Sequence, residues 1–225
     1  MSILIVAATL AETAGIRKEL ALYPQSKRLF TGTIGEQAIH FLHTGVGIVN
    51  TSYQLGRYLA FHRPAFALNL GIAGSFQGSL PIGATVQIGT SVFPEMGAES
   101  LEGFLDMEAL GFPVIDTPSG PIFNTLENPA PMNSELPLVK DLTVNTVHGR
   151  IESIEQTQHR WHPDIESMET GAFFHAMLEI GIPFAAVRAI SNRVEPRNRD
   201  AWNIPLALKS LHAWFLESYL QNVNA

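Results

Sequence analysis

The sequence predicts an α/β protein, a three-layer α/β/α arrangement around a central mixed, twisted sheet. Three observations carry that expectation. Short apolar runs rich in Ile and Val alternate along the chain with segments of helical period. Two β-type runs, 28–34 and 37–43, are separated only by Gly35-Glu36, which reads as a hairpin and so makes the sheet mixed rather than purely parallel. The chain has 225 residues, 46% apolar and 16% charged, enough to fill one core, so a single domain over 1–225 is expected.

The elements follow in order. Residues 2–8 form a short apolar run, the first strand. Residues 12–22 have helical spacing, with Ile16 and Leu20 on one face. After the hairpin, Gly45-Val46-Gly47 leads into a helix over 48–61, and Pro64 stops it. A buried strand is predicted at 65–70, and Gly71 to Ser75 reads as a tight glycine-containing turn. Residues 83–93 read as one long strand or a strand pair. Residues 94–137, rich in proline and without a period, read as loops with short strands. A strand within 138–148, a helix over 166–180, a strand over 184–190 and a closing helix over 202–219 complete the prediction. Pro205 lies near the start of that last helix, where proline is tolerated.

Bulk composition narrows the function classes. A net charge of −7 argues against a nucleic-acid partner and against anionic membrane surfaces. With no cysteine in the chain, disulfides, thiolate metal sites and cysteine nucleophiles are excluded. The N-terminal run lacks a basic n-region, and no apolar stretch approaches the ~20 residues of a membrane span. A cytoplasmic location is the resulting expectation.

Several residues are candidates for chemistry, each with a plainer reading beside it. Glu12, just after the first strand, is either a general base at the sheet rim or a carboxylate favoured by a helix dipole. Asn69 to Gly74 follows a buried strand; its glycines would let a ligand approach the backbone, yet a simple turn explains them too. The segment is neither GxGxxG nor a P-loop. Met168-Glu169 suits a sugar, the carboxylate accepting two hydroxyl hydrogen bonds and the thioether packing on the ring, or it is a helix-start Glu beside a core Met. Asn192 could meet a heterocycle with a donor and an acceptor, or make a strand-end turn. Residues 193–200 hold three arginines and two acids, which fits either carboxylate recognition or a solvated loop. His159 and His162 lack a third ligand at a recognisable spacing, so no metal site is assigned. No G-x-S-x-G elbow is present.

Taken together, the 3–12 start, His43-Thr44-Gly45-Val46-Gly47, Asn69 to Gly74, Ser167-Met168-Glu169 and Val187 to Asn192 resemble the nucleoside phosphorylase/nucleosidase family. Their order and spacing are similar to its methylthioadenosine/S-adenosylhomocysteine nucleosidase branch. The tail from Arg188 to Trp202 is more specifically similar to its futalosine-cleaving members, of the alternative menaquinone pathway. The resemblance implies a nucleoside phosphorylase-like fold, a small-molecule nucleoside substrate, no cofactor and a homo-oligomer, a dimer or higher. It gives Glu12 the role of activating water, Glu169 the ribose hydroxyls, Met168 the sugar face, and the backbone at Ala73 and Gly74 contact with substrate. Asn192 stands where adenine-releasing relatives carry Asp. An amide there suits a 6-oxopurine, donating to O6 and accepting from N7–H, which implies hypoxanthine release from futalosine. The phosphate ligands of related phosphorylases are replaced by Asn69 and Ile72, which favours water over phosphate. Arg197 or Arg199 is assigned to the substrate's distal carboxylate. The alternatives are a 6-aminopurine nucleosidase, a purine nucleoside phosphorylase and, last, a non-catalytic purine-binding module.

Overall fold

The computed structural model describes residues 2–132 and 134–220. The chain begins with β1 (Ser2–Ala7), α1 (Ala14–Glu19), β2 (Tyr23–Pro24), β3 (Leu29–Ile34), β4 (Gln37–His43) and α2 (Ile48–Leu59). Next come β5 (Phe66–Ser75), β6 (Thr85–Val92), β7 (Gly97–Ser100), β8 (Gly103–Asp106), α3 (Met107–Leu110), β9 (Ile115–Thr117), β10 (Gly120–Ile122) and β11 (Thr125–Glu127). The last part holds β12 (Leu138–Thr143), α4 (Ile151–Trp161), β13 (Ile165–Ser167), α5 (Thr170–Ile180), β14 (Phe184–Arg193) and α6 (Ile204–Ala213), which runs into a π-helical turn at Trp214–Tyr219.

The three layers can be read from side-chain alternation. On β1, Leu4 and Val6 join a core with Leu55 of α2 and Phe173, Phe174 and Met177 of α5. Ile3 and Ile5 face the other way, into a second core with Ile16 of α1 and Ala207, Leu211 and Phe215. Strand β14 splits the same way, Ala186 and Ile190 to the first core, Ala185, Val187 and Ala189 to the second. A strand apolar on both faces is what a sheet covered by helices on both sides requires. The predicted hairpin is present, β3 and β4 being antiparallel through Ile34 and Gln37.

The helix α4 lies in a stretch for which no element was predicted, and two predicted segments take another form. Residues 71–75 are not a turn; β5 runs unbroken to Ser75 and pairs with β14 along its length. Glu166 and Ser167 are not helical; they belong to β13, and α5 starts only at Thr170. Both differences have one cause, a sheet that bends round on itself. Strand β5 pairs with β14, β14 with β6, β6 with β12, β12 with β13, and β13 returns antiparallel to Gly74 and Ser75 of β5. That closed circuit of five strands hangs on one side of the flatter β1–β4 part.

The closure positions the site. Strand β1 accompanies β5 only as far as Asn69, and β13 joins the same edge only at Gly74. Between them the edge of β5 lies open at the C-terminal end of β1, the place where α/β sheets bind ligands.

Candidate active site

The cavity over that opening has a volume of about 370 Å³, within the range of small-molecule pockets. It brings together Glu12, Ala73, Gly74, Met168, Glu169 and Asn192, six of the eight residues singled out from sequence. Arg197 and Arg199 are exposed and do not line it. Arg197 lies over the ring of Trp202, at 5.9 Å, and Trp202 is a cavity wall. His159 and His162 are exposed at the end of α4. Among the described residues, no three His, Asp or Glu side chains are arranged to hold a metal ion.

Glu12 enters from the loop after β1. Its Oε2 accepts from the Thr9 amide at 2.7 Å and from the Thr9 hydroxyl at 3.0 Å, so the loop folds back on itself rather than on α1. Burial pushes its pKa up from the ordinary carboxylate value, against the Thr9 donors and the nearby Arg188 charge. A Cβ on Gly71 would lie 3.1 Å from Glu12 Oε1 and 3.3 Å from the Arg188 guanidinium carbon. Glycine in mid-strand is therefore what lets carboxylate and cation close over β5.

Glu169 is the residue that precedes α5. Its Oε1 accepts from the Gly47 amide at 2.8 Å, tying the start of α2 to the start of α5. Gly47 has φ of +92°, a conformation glycine adopts without strain. Burial raises the Glu169 pKa, with Arg188 and the Gly47 amide opposing and the charges of Glu12 and Asp141 adding to the rise. Met168, beside it, packs against Val92, Leu142 and Val144.

Asn192 is re-aimed by a bulge. The β14 register against β5 shifts between Ile190 and Asn192, which leaves Ser191 as the extra residue and sets Asn192 opposite Gly74. Its Nδ2 donates to the Arg193 carbonyl at 2.9 Å and its Oδ1 accepts from the Ser191 hydroxyl at 2.8 Å. A carbonyl only accepts, so the amide orientation is settled. Each end keeps one hydrogen-bonding position, a second N–H and a second lone pair.

Sequence reasoning missed two charged groups. Arg188 is only 1% exposed. It donates from Nη2 to Asn69 Oδ1 at 2.5 Å and to the Thr170 hydroxyl at 2.8 Å, and from Nη1 to the Val187 carbonyl at 3.1 Å. Its Nε has no partner among the described residues. Among the described residues it makes no direct ion pair, yet it offsets the charges of Glu12, Glu169 and Asp141. Glu166, from β13, also lines the cavity. For Arg188 the signal was available, since a charged residue inside an apolar strand is almost never buried without a task; Glu166 stands in a three-residue strand rather than an apolar run and carried no such signal.

The site is thus two carboxylates and an amide over an opening in an α/β sheet. The chain belongs to the phosphorylase superfamily, whose family model matches residues 2–221. It is 30% identical over 177 residues to futalosine hydrolase of Thermus thermophilus, covering 76% of each chain. To futalosine hydrolase of Acidothermus cellulolyticus it is 32% identical over 178 residues, covering 77% of this chain and 72% of that one. Among solved structures, the native futalosine hydrolase of Helicobacter pylori strain 26695 matches with a TM-score of 0.77 at 17% identity, over 99% of this chain and 98% of that one. That last likeness concerns the fold.

Proposed function

We propose that this protein hydrolyses the N-glycosidic bond of futalosine, adding water across C1′–N9 to give hypoxanthine and dehypoxanthine futalosine, a menaquinone-pathway step. The observation that carries the reading is the meeting of Glu12, Glu169 and an amide at position 192 in one apolar cavity. The similarity to two futalosine hydrolases supports the same substrate.

The roles follow from the chemistry. Glu12 takes a proton from the attacking water. Cleavage develops oxocarbenium character at the sugar, as in glycoside hydrolysis. Glu169 accepts from the ribose hydroxyls while Met168 packs on the sugar, and its charge stabilises the developing cation. The free N–H of Asn192 donates to O6 of the base; N7 takes its proton from solvent as the bond to C1′ breaks, because an amide cannot supply one, and the free lone pair of Asn192 then accepts from N7–H. Asp there would set a carboxylate oxygen against the Arg193 carbonyl unless it were protonated. The backbone at Ala73 and Gly74 forms the floor.

Water rather than phosphate is the acceptor in this reading. Asn69 spends both ends of its amide internally, donating to the Val6 carbonyl and accepting from Arg188. Ile72 is apolar, and Glu12 would repel an anion at short range. One domain over 1–225, a homo-oligomer of two or more chains, and a cytoplasmic location belong to the same reading. Among the described residues no helix is long and apolar enough to cross a membrane.

Incubation with futalosine, aminofutalosine, methylthioadenosine and inosine, with and without phosphate, tests the proposal by chromatography of the released base. Phosphate-independent release of hypoxanthine from futalosine is the expected result; preferential adenine release or strict phosphate dependence would overturn it. The substrate's distal carboxylate is assigned to Arg197 or Arg199. Arg197→Ala or Arg199→Ala is expected to raise KM for futalosine by about tenfold, the scale of one charge-assisted hydrogen bond. Unchanged KM and kcat/KM in both variants would remove that assignment.

A further inference from the structure

Glu166 and His148 form a buried acceptor that plays no part in the hydrolysis as described. The His148 amide donates to Glu166 Oε1 at 3.1 Å, and His148 Nδ1 pairs with Oε2 at 2.5 Å. The far nitrogen of the same ring meets the Thr157 hydroxyl at 2.9 Å, so α4 holds the imidazole in place. The Glu166 side chain is 3% exposed, and what it meets besides His148 is the cavity. Burial pushes the Glu166 pKa up, and the His148 side chain and amide pull against that rise; with the proton on His148 Nδ1 the carboxyl is held as an acceptor, and Oε1 keeps a lone pair.

Its place in the sheet gives that lone pair a target. Glu166 on β13 and Asn192 on β14 are both in register with Gly74, which lies between them on β5. Directly paired residues of a sheet project to one face. The two side chains therefore stand on either side of a position that has none. They are two strand spacings apart, about 9.5 Å. That is the scale of a flat bicyclic base with a hydrogen bond at each edge.

We infer that Glu166, held by His148, is a second base-reading residue, accepting the N1–H of a 6-oxopurine opposite the contacts made by Asn192. The assignment rests on the cavity being a purine nucleoside site. N1 carries a proton in hypoxanthine and a lone pair in adenine. An ionised carboxylate therefore attracts the one and sets acceptor against acceptor for the other. Asn192 reads O6 and N7; Glu166 reads N1–H on the other side of O6, so the preference for a 6-oxo base is set twice.

Two measurements test this. The first compares the futalosine to aminofutalosine ratio of kcat/KM in the wild type and in Glu166→Gln, whose amide can donate to an unprotonated N1. The ratio is expected to fall by about tenfold to a hundredfold, the worth of a hydrogen bond to a charged group. A role confined to folding would lower both substrates together and leave the ratio fixed, which would overturn the assignment. The second needs no variant: calorimetry of the wild-type protein with hypoxanthine and with 1-methylhypoxanthine. The methylated base, lacking N1–H, is expected to bind about tenfold more weakly or worse. Equal affinities in a protein that does release hypoxanthine from futalosine would overturn the Glu166 assignment and leave the proposed function standing. Discrimination between the two bases without futalosine cleavage would do the reverse.

Discussion

Replacing Glu12 by Gln is expected to lower kcat for futalosine by roughly 10²–10⁴-fold, the usual contribution of a positioned base, while affinity for hypoxanthine stays unchanged. Gln keeps the shape of Glu and retains an acceptor for the Thr9 amide and hydroxyl, so the loop after β1 has no reason to rearrange. What is lost is the ability to take a proton from water. The wild-type pH profile gives a second readout. Glu12 must be ionised to act, and burial holds its pKa above the ordinary carboxylate value. Activity is therefore lost as pH falls through that raised value, at a higher pH than a solvated carboxylate would give. Glu169 is raised as well, and each charge is felt by the other, so the acid limb belongs to the pair. In Glu12→Gln only the Glu169 contribution to that limb remains. Full turnover in the variant, with an unaltered acid limb, would exclude Glu12 as the base. A protein that binds the base and has no turnover to lose would be the non-catalytic module instead.

The parts that local pattern can carry are legible in the sequence. The hairpin at Gly35-Glu36 and the twin-faced strands depend on residue type within a few positions; the grouping of Glu12, Met168, Glu169 and Asn192 rests on the family resemblance, and the fold brings all four to one cavity. What escapes depends on contacts between distant segments. Gly71 and Gly74 read as a turn because glycine weakens a strand. Here they sit mid-strand because Glu12 and Arg188 crowd the first and Asn192 crowds the second. Strand β13 is three residues long and exists only because β12 and β5 flank it; no periodicity can announce it. Arg188 is visible as a charge within an apolar run, but its partners Asn69 and Thr170 lie 119 and 18 residues away. Arg197 and Arg199 stand outside the cavity walls, Arg197 against Trp202. Their charge pattern is conspicuous in the sequence, and both are exposed at the rim.

Removing the buried cation is expected to be the most destabilising single change at this site. Arg188→Met keeps much of the volume but leaves Glu12, Glu169 and Asp141 without their shared counter-charge. Breaking a buried charge arrangement from one side costs about 3–5 kcal/mol, which for a chain of this size lowers Tm by roughly 10 °C. Asn69 Oδ1 and the Thr170 hydroxyl lose their donor in the same step, and Asp141 already has one buried oxygen without a partner. The cost depends on pH, with a definite sign. All three carboxyls have pKa values raised by burial, and Arg188 works against that rise. A carboxyl raised in the folded state holds its proton where the unfolded chain has released it. Stability therefore falls as pH climbs from the unfolded value through the folded one. Without Arg188 the folded values move further up, and the falling window extends towards neutrality. The Tm loss of the variant should be smaller near pH 5, where the donor missing from Asn69 and Thr170 accounts for most of it, and largest near pH 8. Arg188→Lys restores the charge but not the two-pronged hydrogen bonding to Asn69 and Thr170, so it should recover the pH dependence and only part of the stability. A Tm loss equal at both pH values would mean that packing, rather than charge, is what Arg188 supplies beneath the site.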